Sequence, residues 1–233
     1  EKYHLHPKEV HWSQDGLTGT FDKAQLQRGL QVYKQVCAAC HGLELVAFRD
    51  LEALGYSSAQ IKAFAAEYVM EDGPDDFGDM FERPGKPSDY FPSPFANPQA
   101  AAAANGGAVP PDLSLMAKAR HDGTNYVYSL LSGYEDAAPS DVEPTDGSNY
   151  NPYFHSLFLA MAPPLFEGSV EYADGTEASV DQMSRDVAAF LTWTAEPKLE
   201  DRKEMGLMVM LFLGFLIVVT YLSYRRTWAP LKK

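Results

Sequence analysis

Apolar side chains recur at helical spacing in four stretches of this chain and then run without a break near its end. After Asp22, a side chain suited to capping, Leu26, Leu30, Tyr33 and Cys37 fall on one side of a helix predicted from Lys23 to Val36, with Gly29 on the same side. Ser57 or Ser58 caps a second, with Ile61, Phe64, Tyr68 and Val69 on one stripe. A third is predicted over about Asn125 to Ser132, closed by Gly133 as the residue after the helix. Met183, Val187, Phe190, Leu191 and Thr194 mark a fourth, stopped by Pro197. The pattern is mainly α.

Residues 205–224 carry no charge and are apolar on every face, unlike the core helix of a soluble domain. At about 1.5 Å per residue they span roughly 30 Å, the hydrocarbon thickness of a bilayer. The chain therefore divides into a domain at 1–197, a linker at 198–204, one transmembrane helix at 205–224 and a basic tail at 225–233. Arg225, Arg226, Lys232 and Lys233 follow the span, and Trp228 sits where interface aromatics anchor. Counting bases places the tail on the cytoplasmic or equivalent side and the domain outside. A start at Glu1 is compatible with a removed export signal.

Charge sharpens this division. The 233 residues have a formal net charge of −13, yet residues 198–233 are net basic, so the domain alone stands at −17. A phosphate backbone is a poor partner for such a surface, which excludes nucleic acid as the main ligand. One acidic group holds Glu71, Asp72, Asp75, Asp76, Asp79 and Glu82, and another Glu135, Asp136, Asp141, Glu143 and Asp146. They read as a docking field for a basic partner, as a solvated surface, or as a calcium site, although no EF-hand spacing is present. The stretches Pro84 to Pro98 and Pro139 to Pro152 read as ordered wraps, and Asp174-Gly175 as the turn of a small hairpin within Ser169 to Val180.

The two cysteines of the chain are Cys37 and Cys40, and His41 follows at once. C-x-x-C-H is the attachment signature of c-type haem: two thiols add to the porphyrin vinyl groups and the adjacent imidazole becomes the proximal iron ligand. For this composition the motif arises by chance about 4 × 10⁻⁴ times per chain. A dithiol oxidoreductase needs a βαβ scaffold that the flanks do not offer. A structural zinc site needs a second ligand pair, which His4, His6, His11, His121 and His155 do not supply at finger spacing. A disulfide across two residues closes too small a loop to stabilise much.

The sixth iron position decides the chemistry, since a filled one gives electron transfer and an open one a haem enzyme. Met205, Met208 and Met210 belong to the apolar run, Met183 to a helix core, and Met70 and Met80 border the acidic segment. Met161, stiffened by Pro163 and Pro164 among apolar neighbours, and Met116, after Pro110-Pro111, remain, with His155 and His121 as further candidates. A membrane-anchored c-haem enzyme with an open sixth site is the alternative function.

Beyond the haem motif, the chain resembles the cytochrome c1 family of the cytochrome bc1 complex, ubiquinol–cytochrome c reductase, over nearly its whole length. The resemblance rests on Arg28-Gly29-Leu30-Gln31-Val32-Tyr33-Lys34-Gln35-Val36-Cys37, Ser88-Asp89-Tyr90-Phe91-Pro92 and Pro110-Pro111-Asp112-Leu113-Ser114. It continues through Leu130-Leu131-Ser132-Gly133-Tyr134, Met161-Ala162-Pro163-Pro164-Leu165, Asp186-Val187-Ala188-Ala189-Phe190-Leu191 and Ala195-Glu196-Pro197. It implies a class I-like cytochrome c fold with loop insertions, in which the helix ending at Cys37 packs near the helix bearing Phe190. It implies one covalently attached haem c, with Met161 as the second axial ligand and Arg120 and Tyr126 near the propionates. The implied role is that of the electron-transfer subunit of the reductase, with no substrate-bond chemistry of its own. One electron passes from the Rieske iron–sulfur protein to a soluble or membrane-bound cytochrome c, beside cytochrome b in a dimeric complex. The haem domain then faces the periplasm of a bacterium or the mitochondrial intermembrane space. Some bacterial relatives carry an extra cysteine pair in an inserted loop, and this chain does not.

Overall fold

The computed structural model describes residues 2–143 and 146–231. Helix α1, Lys23–Gln35, starts where Asp22 accepts hydrogen bonds from the Ala24 and Gln25 amides at 2.9 and 3.4 Å. It lies against α6, Val180–Ala195, which Ser179 caps. The two helices touch closely at Gly29, where an added Cβ would fall 2.2 Å from the Asp186 carbonyl oxygen and 2.5 Å from Phe190 Cβ. Tyr33, fully buried one turn later, packs on Phe190 with ring centroids 6.0 Å apart. The helix ending near Cys37 thus meets the helix bearing Phe190, as the resemblance implies.

A buried ion pair pins the same crossing. Asp186 is fully buried and accepts from Arg28 Nε at 2.9 Å, Arg28 Nη2 at 3.3 Å and Gln182 at 2.9 Å. Arg28 also reaches Asp174 at 2.9 Å. Burial works against the guanidinium charge, but its bonds to Asp186 and Asp174 outweigh that and raise its pKa. Such a pair costs desolvation on both sides and holds only while both partners remain.

Helices α4, Met116–Ala119, and α5, Gly123–Leu131, pack on α6, and α2, Ser58–Ala65, and α3, Pro98–Ala104, lie in the chain before them. Phe48, Phe64, Tyr68 and Phe91 gather beside α2, the Phe48 and Phe91 rings only 4.7 Å apart. The α5 and α6 helices are joined by a Thr124–Thr192 hydroxyl contact of 2.7 Å. Met183 is fully buried in the core, as its helical register predicts. Strands β1, Val69–Asp72, and β2, Phe81–Pro84, form an antiparallel hairpin, and β3, Asn149–Tyr150, pairs with β4, Phe158–Leu159.

Three local expectations change. The third helix begins earlier, at Gly123, and Gly133 is not left-handed; a Cβ there would meet the Tyr153 ring at 2.3 Å, so close approach explains the glycine. The Asp174-Gly175 turn forms, with Gly175 at φ 76°, but its flanks make no strands, because Asp174 is committed to Arg28 and to the Thr176 amide. The second helix ends at Ala65, so Tyr68 and Val69, expected on its stripe, lie beyond it, and Val69 instead opens the β1–β2 hairpin, which was not predicted from the sequence. Pro84 to Pro98 is a wrap, tied down where Phe48 donates to Asp89 and Phe91 to Val46. Pro144 and Thr145, within the second expected wrap, lie outside the described residues.

Helix α7, Leu199–Trp228, is continuous, so the stretch 199–204 expected as part of a linker is helical. Beyond Leu199 none of its described residues is buried, and its apolar run is long enough to cross a membrane. Lys232 and Lys233 of the basic tail lie outside the described residues.

Candidate haem site

Two turns beyond Gly29, α1 ends and a 3-10 turn, Cys37–Ala39, turns the chain so that the Cys40 and His41 amides both bond the Cys37 carbonyl, at 3.1 and 2.9 Å. Cys37 and Cys40 are free thiols, partly buried. Burial, with Cys40 adding to it, pushes the Cys37 thiol up to about 12. A dithiol oxidoreductase needs the opposite shift. Among the described residues no group of three or more His, Cys, Asp or Glu is placed to hold a metal ion.

The His41 imidazole has a fixed tautomer. Its Nδ1 lies 2.7 Å from the Pro111 carbonyl oxygen, which only accepts, so Nδ1 carries the proton and Nε2 keeps its lone pair. Burial lowers the imidazole pKa, partly countered by Pro111 and Asp112, and the ring stays neutral. That is the state an iron ligand requires.

A polar latch holds Pro111 in place. Asp112 accepts from the amides of Glu44 and Ser114, each at 2.8 Å, and the fully buried Ser114 accepts from Leu45 at 3.1 Å. Leu113 donates to the Gly42 carbonyl at 2.9 Å, joining the Pro110–Ser114 strap to the residue after His41. Tyr33 donates to the His41 carbonyl at 3.1 Å, so the core packing of α1 also reaches the motif.

Met161 lies just past β4 and is partly buried. Tyr134 donates its hydroxyl to the Met161 carbonyl at 3.0 Å. Burial, reinforced by nearby Tyr126, raises the Tyr134 pKa, so the phenol remains a donor. Tyr126 sits half-buried on α5. Arg120 is the exposed residue closing α4; it bonds the Ala119 carbonyl at 3.0 Å, and among the described residues no carboxylate pairs with it. Met116 opens α4 and packs partly buried against the core, whereas His121 and His155 are exposed.

The profile of the Cytochrome C1 family matches residues 12–231. The chain belongs to the cytochrome c1 family. It is 48% identical over 228 residues to the mitochondrial cytochrome b-c1 complex catalytic subunit of Candida albicans, covering 98% of this chain and 79% of that protein. It is 48% identical to cytochrome c1 of Rhodospirillum rubrum, covering 98% and 89%. To the mitochondrial protein named cytochrome c1, heme protein, of Saccharomyces cerevisiae it is 47% identical, covering 98% and 74%. Membership brings the family's cofactor, haem c, and its setting, electron transport in the respiratory chain.

The residues on hand fit a cytochrome c1 haem. Two unpaired thiols stand at the required separation, an imidazole offers a bare Nε2, and Val36, Cys37, Ala38, Met116, Tyr126 and Leu131 pack on the core while staying partly open. Sequence reasoning missed Pro111, Asp112, Ser114 and Tyr134 as supporting groups. Pro111 and Met161 are both gripped through carbonyl oxygens, which every residue possesses, so only their place in family-like motifs could have drawn attention to them.

The acidic groups are sorted by their bonds. Asp72 is paired with Arg83, Asp75 accepts from the Phe77 and Asp79 amides at 2.8 and 3.0 Å, and Asp141 is held by Lys2 and Tyr3. Glu71, Asp76, Asp79 and Glu82 of the hairpin have carboxylates that make no ion pair among the described residues.

Proposed function

We propose that this cytochrome c1 is a membrane-anchored one-electron carrier, taking electrons from the Rieske iron–sulfur protein and passing them to a soluble or membrane-bound cytochrome c. Cytochrome b is its membrane neighbour, in a dimeric complex. The observation that carries the reading is His41, with Nδ1 tied to the Pro111 carbonyl and Nε2 left open, directly after two free thiols. Haem c supplies a one-electron iron couple when bound. Cys37 and Cys40 would hold it covalently, and His41 and Met161 would ligate its iron. Arg120, lacking a carboxylate partner among the described residues, would pair with a propionate, with Tyr126 nearby.

A thioether ligand favours reduced iron and raises the potential, which suits a late step in quinol oxidation. The domain faces the periplasm or intermembrane space, because Arg225 and Arg226 follow the apolar run. The free hairpin carboxylates steer a basic acceptor. A pyridine haemochrome spectrum of the denatured protein should report thioether-bound haem. Carbon monoxide should bind the reduced native protein slowly at neutral pH; rapid binding would instead establish an open sixth site and a haem enzyme.

A further inference from the structure

Leu17 is 91% exposed within the uncharged run Gly16 to Phe21, and the chain on either side of it, at Gln14 and at Gly19 and Phe21, is tied to the first turns of α7. The Phe21 amide donates to Glu200 at 2.6 Å. Lys203 donates to the Gln14 and Gly19 carbonyls at 2.6 and 3.0 Å. Lys203 follows Glu200 by three residues, a descent of about 4.5 Å toward the apolar run. Lys203, two residues before Met205, thus holds Gln14 and Gly19 together, with Leu17 between them in the chain. The Lys203 ammonium donates to two loop carbonyls, and only Glu204 separates it from Met205, where the apolar run opens.

The loop is tightly folded. Asp15 accepts from the Trp12 amide at 3.0 Å and its own amide donates back to Trp12 at the same distance. Gly16 has φ +71°, and a Cβ on Gly19 would lie 2.0 Å from the Asp15 carbonyl oxygen. Trp12 itself is buried, with its indole donating to Asn125 at 2.8 Å. The Leu17 tip is thus held between a core anchor, Trp12, and a helix anchor, Lys203.

We propose that the Gln14–Gly19 loop is a second membrane contact, with Leu17 inserted among the headgroups and upper acyl chains of the leaflet that α7 enters. The occupant is lipid because the loop is continuous, through Glu200 and Lys203, with the helix that crosses the bilayer. The tip from Gly16 to Thr20 carries no charge, so it loses water there and drags no ion with it, while the Asp15 carboxylate at its base accepts from the Trp12 amide. The proposal rests on the reading of α7 as a membrane span.

The test uses the full-length, haem-loaded chain in phospholipid nanodiscs and in the assembled complex, with a nitroxide at Leu17→Cys or, as a second site, Thr18→Cys. Reduced low-spin iron is diamagnetic and leaves the label readable. Collisions with oxygen should exceed those with a water-soluble nickel chelate several-fold relative to a label at Phe77→Cys, also 91% exposed but on the acidic hairpin. Nickel access equal to that at Phe77 overturns the proposal, and so does shielding from both reagents in the complex, which assigns the loop to a protein neighbour. A label at Leu216→Cys checks the span separately: if it too meets nickel freely, the anchoring reading fails rather than the loop.

Discussion

Tyr134 holds the main chain of Met161, not its thioether, through a 3.0 Å hydrogen bond to the carbonyl. A weak sulfur ligand depends on a backbone that stays still, and this bond adds a side-chain anchor to the stiffness of Pro163 and Pro164. Tyr134→Phe should cost about 1 kcal/mol of stability and speed carbon monoxide binding to the reduced protein. Denaturant titration and ligand-binding kinetics check both; a variant equal to the parent in each would leave the prolines as sole support.

Met161→Leu would remove the sixth ligand proposed above. The expected outcome is a lower reduction potential and a ligand field altered in the visible spectrum, with the covalent haem retained. Met116→Leu should leave both unchanged apart from a packing loss of less than about 1.5 kcal/mol. If the two variants exchange behaviour in redox titration, the axial role belongs to the residue at the head of α4.

Arg28→Ala strands a fully buried carboxylate. Asp186 would keep only Gln182 as a donor among its present side-chain partners, and the loss should reach about 3–5 kcal/mol. Thermal melts of the haem-loaded protein measure it. A paired replacement, Arg28→Met with Asp186→Leu, should recover much of that loss.

Acid should weaken the hairpin in a defined window. Hydrogen bonds from Arg83, and secondly from the Lys86 amide, hold Asp89 at about 2 instead of its ordinary 3.8. A depressed carboxylate contributes stability above its unfolded pKa and loses it as pH falls through the folded value, so this contribution fades between pH 3.8 and about 2. Arg83→Gln should flatten that part of the stability curve, followed by circular dichroism at low ionic strength.

Salt should slow reduction of a basic cytochrome by this protein, since exposed charges act through a screened field. Replacing Glu71, Asp76 and Glu82 by amides should weaken that salt dependence while leaving the fold intact. Asp75→Asn should instead disturb the loop, because Asp75 serves the Phe77 and Asp79 amides. Stopped-flow rates across ionic strength separate the two groups; an unchanged slope would remove the hairpin from docking.

The helices around the site were legible because their signals are local. Asp22 and Ser57 accept from amides in their own first turns, and Pro197 follows closely on the last turn of α6. C-x-x-C-H announces its chemistry through side chains at fixed spacing. The β1–β2 hairpin was hidden because it mixes acids with apolar residues on both faces, and its strands stay largely exposed. The latch on His41 was hidden for another reason: Asp112 and Ser114 act on backbone amides some seventy positions away in the chain, and no period in the sequence encodes such a meeting.

Gly29 makes the α1–α6 crossing a fulcrum. Cys37 stands eight residues away, a lever arm of about 12 Å, and a single methyl group at position 29 would collide with the Asp186 backbone. A change far from any ligand would then tilt the helix and swing its cysteine end away from the strap that steadies His41. Maturation of the cofactor is therefore exposed to the smallest possible alteration of a residue that never touches it.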